Sequence, residues 1–313
     1  MVLRARAPAK VNLVLQVGPL RPDGYHDLST LMVPLDLADV VLVRVRAGRR
    51  GPVSCRVPNR PELDGASNLA ARAAEAFRRR FGLRDAIDLT VEKRIPVTAG
   101  LGGGSSDAAA VLRALARAYA VRDRAALADA ALDVGSDVPF FLGRGPAWAT
   151  GRGETLAPVD VPTLHLVLVY PTDPALAIRA GDAYRWLDAT RHSPSPSDLA
   201  LEAGVPPARF RPTMARNDLQ GPCFERHPAL RRWVERLVGE GATSAMMSGS
   251  GPTVFGIFRD AAAARRAARG ALVAGAGIEV HVVRTLHRHP GVLRWKSPRS
   301  ASSPSAKRSS RRT

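Results

Sequence analysis

Cysteine is scarce. Cys55 and Cys223 are the only two in 313 residues, too few for a disulfide framework and without metal-ligand spacing, which suits a reducing compartment. Long apolar runs are missing as well: no stretch approaches a membrane span and the N-terminus lacks the apolar core of a signal peptide, so a soluble, cytoplasmic protein is expected. Aromatic residues make up 5% and are not interleaved with the basic ones, which argues against a single-strand nucleic-acid binder. Acids are outnumbered, 28 Asp and Glu against 46 Lys and Arg, for a net charge of +18. Residues 291–313 hold seven of those basic residues and no acid, leaving +11 for the rest. Nucleic acid is therefore not an expected partner except through this basic tail, while the scattered arginines favour an anionic substrate.

Two standard phosphate patterns are also missing. GxxxxGK[ST] lacks its lysine, and GxGxxG is not completed after Gly100 and Gly102. What is present is a glycine-dense turn in residues 95–119, IPVTAGLGGGSSDAAAVLRALARAY. Gly100, Gly102, Gly103 and Gly104 remove side chains where a ligand would approach backbone N–H groups. Ser105, Ser106 and Asp107 are helix-starting residue types, and Ala108, Val111, Leu112, Leu115 and Tyr119 follow at helical spacing. A helix beginning near Ser105 or Ser106 would offer its free N–H donors and positive dipole end to a phosphate, with serine hydroxyls able to hold phosphate oxygens or a metal ion. This is the reading of a nucleotide phosphate site.

Residues 1–20 alternate as a strand with Lys10 and Asn12 opposite its apolar face. Alone, Lys10 also reads as an exposed edge-strand lysine. Pro22-Asp23-Gly24 is a turn signal, with Tyr25 and His26 at its exit. That pair could stack on and hydrogen-bond a planar base, or simply pack. Residues 31–46 read as one or two strands, 47–61 as a surface hairpin region, 67–81 as a helix and 87–95 as a strand entering the glycine turn. Asp137, between a glycine break and Pro139, is either a half-desolvated catalytic carboxylate or the cap of the next turn. Residues 145–156 read as a hairpin, and the apolar run 164–170 as the buried strand that opens a second unit near 160. A helix over 180–187, a long loop over 191–213, helical residues from 217 to 238, a small-residue loop 246–252 feeding a strand, a helix over 261–272 and a strand over 279–286 complete the order. The last 23 residues should be disordered.

Taken together, APAKVNLVLQV and RPDGYHDLSTLM, IPVTAGLGGGSSDAA, GSDVPFFLGRGPAWATGRGE and MSGSGPTVFGIF, with ARNDLQ as a weaker fifth segment, resemble the GHMP small-molecule kinases over roughly residues 3–288. PAKVNL, DGYH and GSDVPFF resemble the branch whose acceptor is a cytidine-diphosphate-linked methylerythritol of the non-mevalonate isoprenoid pathway. The resemblance implies an α+β fold of two domains with the active site in the cleft between them: an ATP-binding domain over 1–160, a second domain over 161–290 and a disordered basic tail over 291–313. It implies ATP and Mg²⁺ as cofactors, a small-molecule acceptor phosphorylated at its 2-hydroxyl, and a monomer or homodimer without a membrane partner. Pro96, Gly100, Leu101, Gly102, Gly103, Gly104, Ser105 and Ser106 would surround the ATP phosphates, Ser106 would be the metal candidate, and Asn68 and Lys93 would lie near the adenine end. Lys10 and Asp137 would be the catalytic pair. Asn12 would contact the methylerythritol or diphosphate, His26 would read the cytosine edge, and Tyr25 and Tyr184 would stack on either side.

Overall fold

The alternation of residues 1–20 produces a long strand, β1 (Val2–Leu20), in a computed structural model that describes residues 1–190, 210–274 and 277–295. At the Pro-Asp-Gly turn the Gly24 N–H donates to Arg21 O at 3.0 Å, and Gly24 takes φ 80°, an angle open to glycine. The chain returns antiparallel as β2 (His26–Arg50). It continues through β3 (Val53–Arg56), the helix α1 (Leu69–Arg80) and β4 (Asp85–Glu92). Asn68 caps α1 by accepting from Ala70 N at 2.9 Å, as its residue type favours. Residues 47–61 are not the expected hairpin. β3 runs parallel to β4, because Gly51-Pro52 breaks the strand and Pro52 O accepts from Ile87 N, which hands the chain to the more distant partner.

The glycine turn leads into α2 (Gly103–Ala118). The helix starts before Ser105, earlier than expected, with Gly102 at the N-cap in the left-handed region and no side chain capping it. Glycine reaches that backbone angle without strain, so the turn needs no hydroxyl to stop it. α3 (Arg124–Leu132), α4 (Val138–Leu142) and the hairpin β5 (Ala147–Gly151) and β6 (Thr155–Pro158) follow. Then come β7 (His165–Pro171), α5 (Ala180–Thr190), β8 (Arg216–Asn217), α6 (Gln220–Arg226), α7 (Pro228–Gly239), β9 (Ser244–Met247), β10 (Val254–Phe258), α8 (Ala261–Ala274) and β11 (Ile278–Arg284). Of the loop expected over 191–213, the part up to 209 lies outside the described residues; Pro212–Met214 form one 3₁₀ turn.

The chain closes with β12 (Val292–Arg294), which corrects the expected disorder from 291 onward. β12 pairs antiparallel with Leu3, Arg4 and Ala5, and the Trp295 N–H donates to Val2 O at 3.0 Å. Val292, Leu293 and Trp295 are the apolar residues of an otherwise polar tail, and the free edge of β1 supplies their hydrogen-bond partners. The rest of the expected tail, from 296, lies outside the described residues.

The first sheet has the order β12-β1-β2-β4-β3, with β5 on β2, β6 on β5 and β8 parallel to β1; the second is β11-β7-β10-β9. β1 runs through all three cores. Leu3, Ala5 and Ala7 pack with the helices α1 to α4, Ala9, Val11 and Leu13 pack between the sheets, and Leu15 and Val17 pack with α5 to α8. The unbroken apolar run of β7 has the same cause. Leu166 and Leu168 face the first sheet while Val167 and Val169 face the second set of helices, so both sides of a period-2 strand are buried. Each fully buried Leu or Phe of this frame contributes about 2 kcal/mol, and the frame holds Lys10 and Asn12 rigidly on the polar side of β1.

Candidate active site

Lys10 is 5% exposed, so its ammonium needs partners. Its Nζ donates to Asn12 Oδ1 at 2.6 Å and lies 3.5 Å from Asp137 Oδ2. Asn12 Nδ2 donates in turn to Thr30 Oγ1 at 2.8 Å, and Thr30 donates to Val14 O at 2.7 Å. This chain of hydrogen bonds fixes both the lysine and the amide. Asp137 occupies the N-cap position of α4 but makes no capping bond with its side chain. The carboxylate, 39% exposed, is left for Lys10 and for whatever enters the cavity.

That cavity, of about 700 Å³, is lined by Lys10, Asn12, Tyr25, His26, Asp137 and Tyr184. His26 Nε2 lies 2.9 Å from Asp188 Oδ1, and Tyr184 stacks on the imidazole at 5.3 Å and 18°. Burial and the nearby Asp137 charge push the Tyr184 phenol up. Tyr25 lies at the mouth with the Arg152 guanidinium 3.8 Å above its ring. Each tyrosine ring thus has a protein partner on one face, His26 for Tyr184 and Arg152 for Tyr25.

A second cavity, of about 370 Å³, is lined by Asn68, Lys93, Pro96, Leu101, Gly103 and Gly104. Gly100, Gly102 and Ser105 line both cavities, so the glycine turn is the wall between them. Ser106 lines neither. It is fully buried, which corrects its place as the metal candidate: the earlier helix start turns its side chain inward and leaves Ser105 facing the cavities.

Lys93 serves a buried cluster. Its Nζ is 2.5 Å from Asp39 Oδ2 and 2.8 Å from Asp107 Oδ2. Asp39 also accepts from Arg94 N at 2.5 Å and Ile95 N at 2.8 Å, which ties the start of the turn to β2. Burial, together with Asp39 and against the pull of Lys93, pushes the Asp107 carboxyl up to about 8. Burial works against the Lys93 charge, yet the two acids together hold its pKa above the ordinary value. Asn68 spends both amide atoms on structure, with Nδ2 donating to Leu63 O at 2.9 Å beside its capping bond.

Comparisons with known proteins give the family. Residues 68–145 match the GHMP kinases N terminal domain and residues 207–273 the GHMP kinases C terminal. The 4-diphosphocytidyl-2-C-methyl-D-erythritol kinase of Anaeromyxobacter dehalogenans (strain 2CP-C) is 66% identical over 100% of both chains. The chain belongs to the 4-diphosphocytidyl-2-C-methyl-D-erythritol kinases of the GHMP family. The enzyme of that name from Deinococcus radiodurans is 43% identical over 84% of this chain and 86% of its own. A crystal structure of 4-(cytidine 5'-diphospho)-2C-methyl-D-erythritol kinase superposes with a TM-score of 0.71 at 36% identity, covering 90% of this chain and 98% of that one. The homoserine kinase of Cytophaga hutchinsonii, at 18% identity and a TM-score of 0.72 over 93% of this chain and 97% of its own, shares the fold.

In this kinase, four structurally important residues escaped the sequence reading. Asp39 holds the turn, Thr30 holds Asn12, and Asp188 holds His26. Asn217 donates to Met247 O and Gly249 O, both at 2.8 Å, clamping the second small-residue loop against the first, where Ser248 Oγ donates to Gly100 O at 3.0 Å. Asp39 shows as a lone acid inside the apolar run LADVV, and Thr30 and Asn217 lie within the segments RPDGYHDLSTLM and ARNDLQ; Asp188 carries no local signal.

Proposed function

We infer that this chain transfers the γ-phosphoryl group of ATP to the 2-hydroxyl of 4-diphosphocytidyl-2-C-methyl-D-erythritol, giving the 2-phosphate in the methylerythritol phosphate pathway to isoprenoids. One observation carries the reading: the Lys10–Asp137 pair stands in a cavity that has His26 and Tyr184 on its wall and the glycine turn as its boundary with a second cavity. The larger cavity would take the acceptor and the smaller the nucleotide. We keep the division into residues 1–160 and 161–290 as part of this proposal.

In the reaction, Asp137 accepts the proton of the 2-hydroxyl as its oxygen attacks the γ-phosphorus and the bond to the ADP oxygen breaks. Lys10 neutralises charge on the incoming oxygen and on Asp137, and Asn12 keeps the ammonium in place. The N–H donors of the first turn of α2, left free by the glycine cap, would bind the phosphates. Among the described residues there is no group of three His, Cys, Asp or Glu able to hold a metal. Mg²⁺ would not require such a cluster, since it usually keeps several waters and is held largely through substrate phosphates. The Ser105 hydroxyl fits that place, and the ion would supply charge neutralisation at the β- and γ-phosphates.

The test is ATP-dependent phosphorylation of the acceptor by wild type and by Asp137→Asn, with Mg²⁺ present and then chelated. Wild-type product that falls by about a thousandfold in the variant and vanishes on chelation is the expected result. A folded, ATP-binding wild type without product would overturn the substrate assignment.

A further inference from the structure

We propose that Asp188 is a positioning residue that makes the base pocket select cytosine over uracil by locking the tautomer of His26; the proposal rests on the functional reading above. His26 is 8% exposed, and its one side-chain hydrogen bond among the described residues is from Nε2 to Asp188 Oδ1, at 2.9 Å. An ionised carboxylate only accepts. Nε2 therefore carries the proton, and in the neutral ring Nδ1 is left with its lone pair.

Nδ1 has no partner among the described residues, and it is not among the side-chain atoms sealed from solvent without one. His26 lines the acceptor cavity, so this nitrogen is the group the ring can offer a ligand. The ring cannot swing to present its other edge. Tyr184 covers one face at 5.3 Å, and Tyr184 and Asp188 sit one turn apart on α5, so one helix fixes both the plane and the protonation of the imidazole.

An acceptor nitrogen at that point matches one pyrimidine. Cytosine presents an exocyclic amine, a donor, where uracil presents a carbonyl. The amine completes a hydrogen bond with Nδ1, whereas the carbonyl sets two lone pairs against each other in a half-dry pocket, a mismatch worth at least about tenfold in affinity. Without Asp188 the ring can move its proton to Nδ1 and accept either base. Discrimination then drops, although every atom touching the base remains.

The experiment measures CDP and UDP binding to the full chain by calorimetry for wild type, Asp188→Ala and Asp188→Asn, beside acceptor and ATP kinetics of each. Asp188 is 44% exposed, so its substitution leaves the core intact, and a thermal melt of each variant verifies this. Wild type should prefer CDP by about tenfold or more, and Asp188→Ala should reduce the preference to about threefold or less with the KM for ATP unchanged. Asp188→Asn, whose amide can either accept from or donate to Nε2, should leave a preference between those of wild type and Asp188→Ala. An unchanged preference in Asp188→Ala, an equal loss of CDP and UDP binding, or a wild type that favours UDP, as a doubly protonated ring would, overturns the proposal. Failure of the functional reading is separate, because it appears as wild type that binds CDP selectively and phosphorylates nothing.

Discussion

Gly102 and Lys10 pass within contact of each other. A Cβ built on Gly102 would lie 3.0 Å from Lys10 Cγ and 3.1 Å from its Cε, at a residue with φ 67°. The glycine turn that walls the smaller cavity and the lysine of the larger one are therefore one packed unit, and alteration of the first displaces the second.

Gly102→Ala should consequently act on chemistry more than on stability. The left-handed angle costs an alanine about 1 kcal/mol, a modest drop in Tm. Displacement of Lys10 from Asp137 should lower kcat about a hundredfold, since small misplacements of reacting groups carry that cost. Steady-state kinetics with a thermal melt checks both, and a wild-type kcat in the variant would refute the coupling.

Asn217 tests the junction of the two small-residue loops. It is buried, donates to Met247 O and Gly249 O, and accepts from Leu219 N at 2.9 Å. Asn217→Ala leaves buried backbone groups without partners and should cost about 3 kcal/mol. Asn217→Asp keeps the acceptor but loses both donors, so it should be nearly as damaging. Urea unfolding decides this, and an Asp variant as stable as wild type contradicts the clamp.

The Asp39–Lys93–Asp107 cluster should give the fold a pH dependence of definite sign. The Asp107 carboxyl holds its proton in the folded chain up to about 8, against an ordinary value of 3.8. The folded state thus binds more protons than the unfolded one between those values, and this group's contribution is lost as pH rises through that window. Asp107→Asn resembles the protonated form and leaves Lys93 paired with Asp39. Unfolding measured at about pH 5 and about pH 8 should show wild type losing more stability than the variant, with a difference on the order of 1 kcal/mol per pH unit. Equal losses would remove the assignment.

Much of the fold was legible because its signals are local. The apolar run of β7, the Asn68 cap of α1 and the glycine turn before α2 each depend on residues within a few positions of one another. The departures have local causes of a different kind. Gly102 supplied a cap that needs no side chain, so the serines were two or three residues too late a guide to the helix start. Averaging over residues 291–313 hid the apolar residues that let β12 find the edge of β1.

The site divides in the same way. Residue types and spacing by themselves determined the glycine turn that opens α2, the strand carrying Lys10 and Asn12, and Tyr25 and His26 at the exit of a turn. Only the tertiary structure decided what each of them touches: Asp137 beside Lys10, Asp188 on His26 across 162 residues, Asp39 on Lys93 across 54, and Arg152 over Tyr25. Those partners are joined by burial, which makes a charge or a lone pair seek whatever complementary group the packed sheets bring near. That choice depends on which strands close on which, and no short window of the chain contains it.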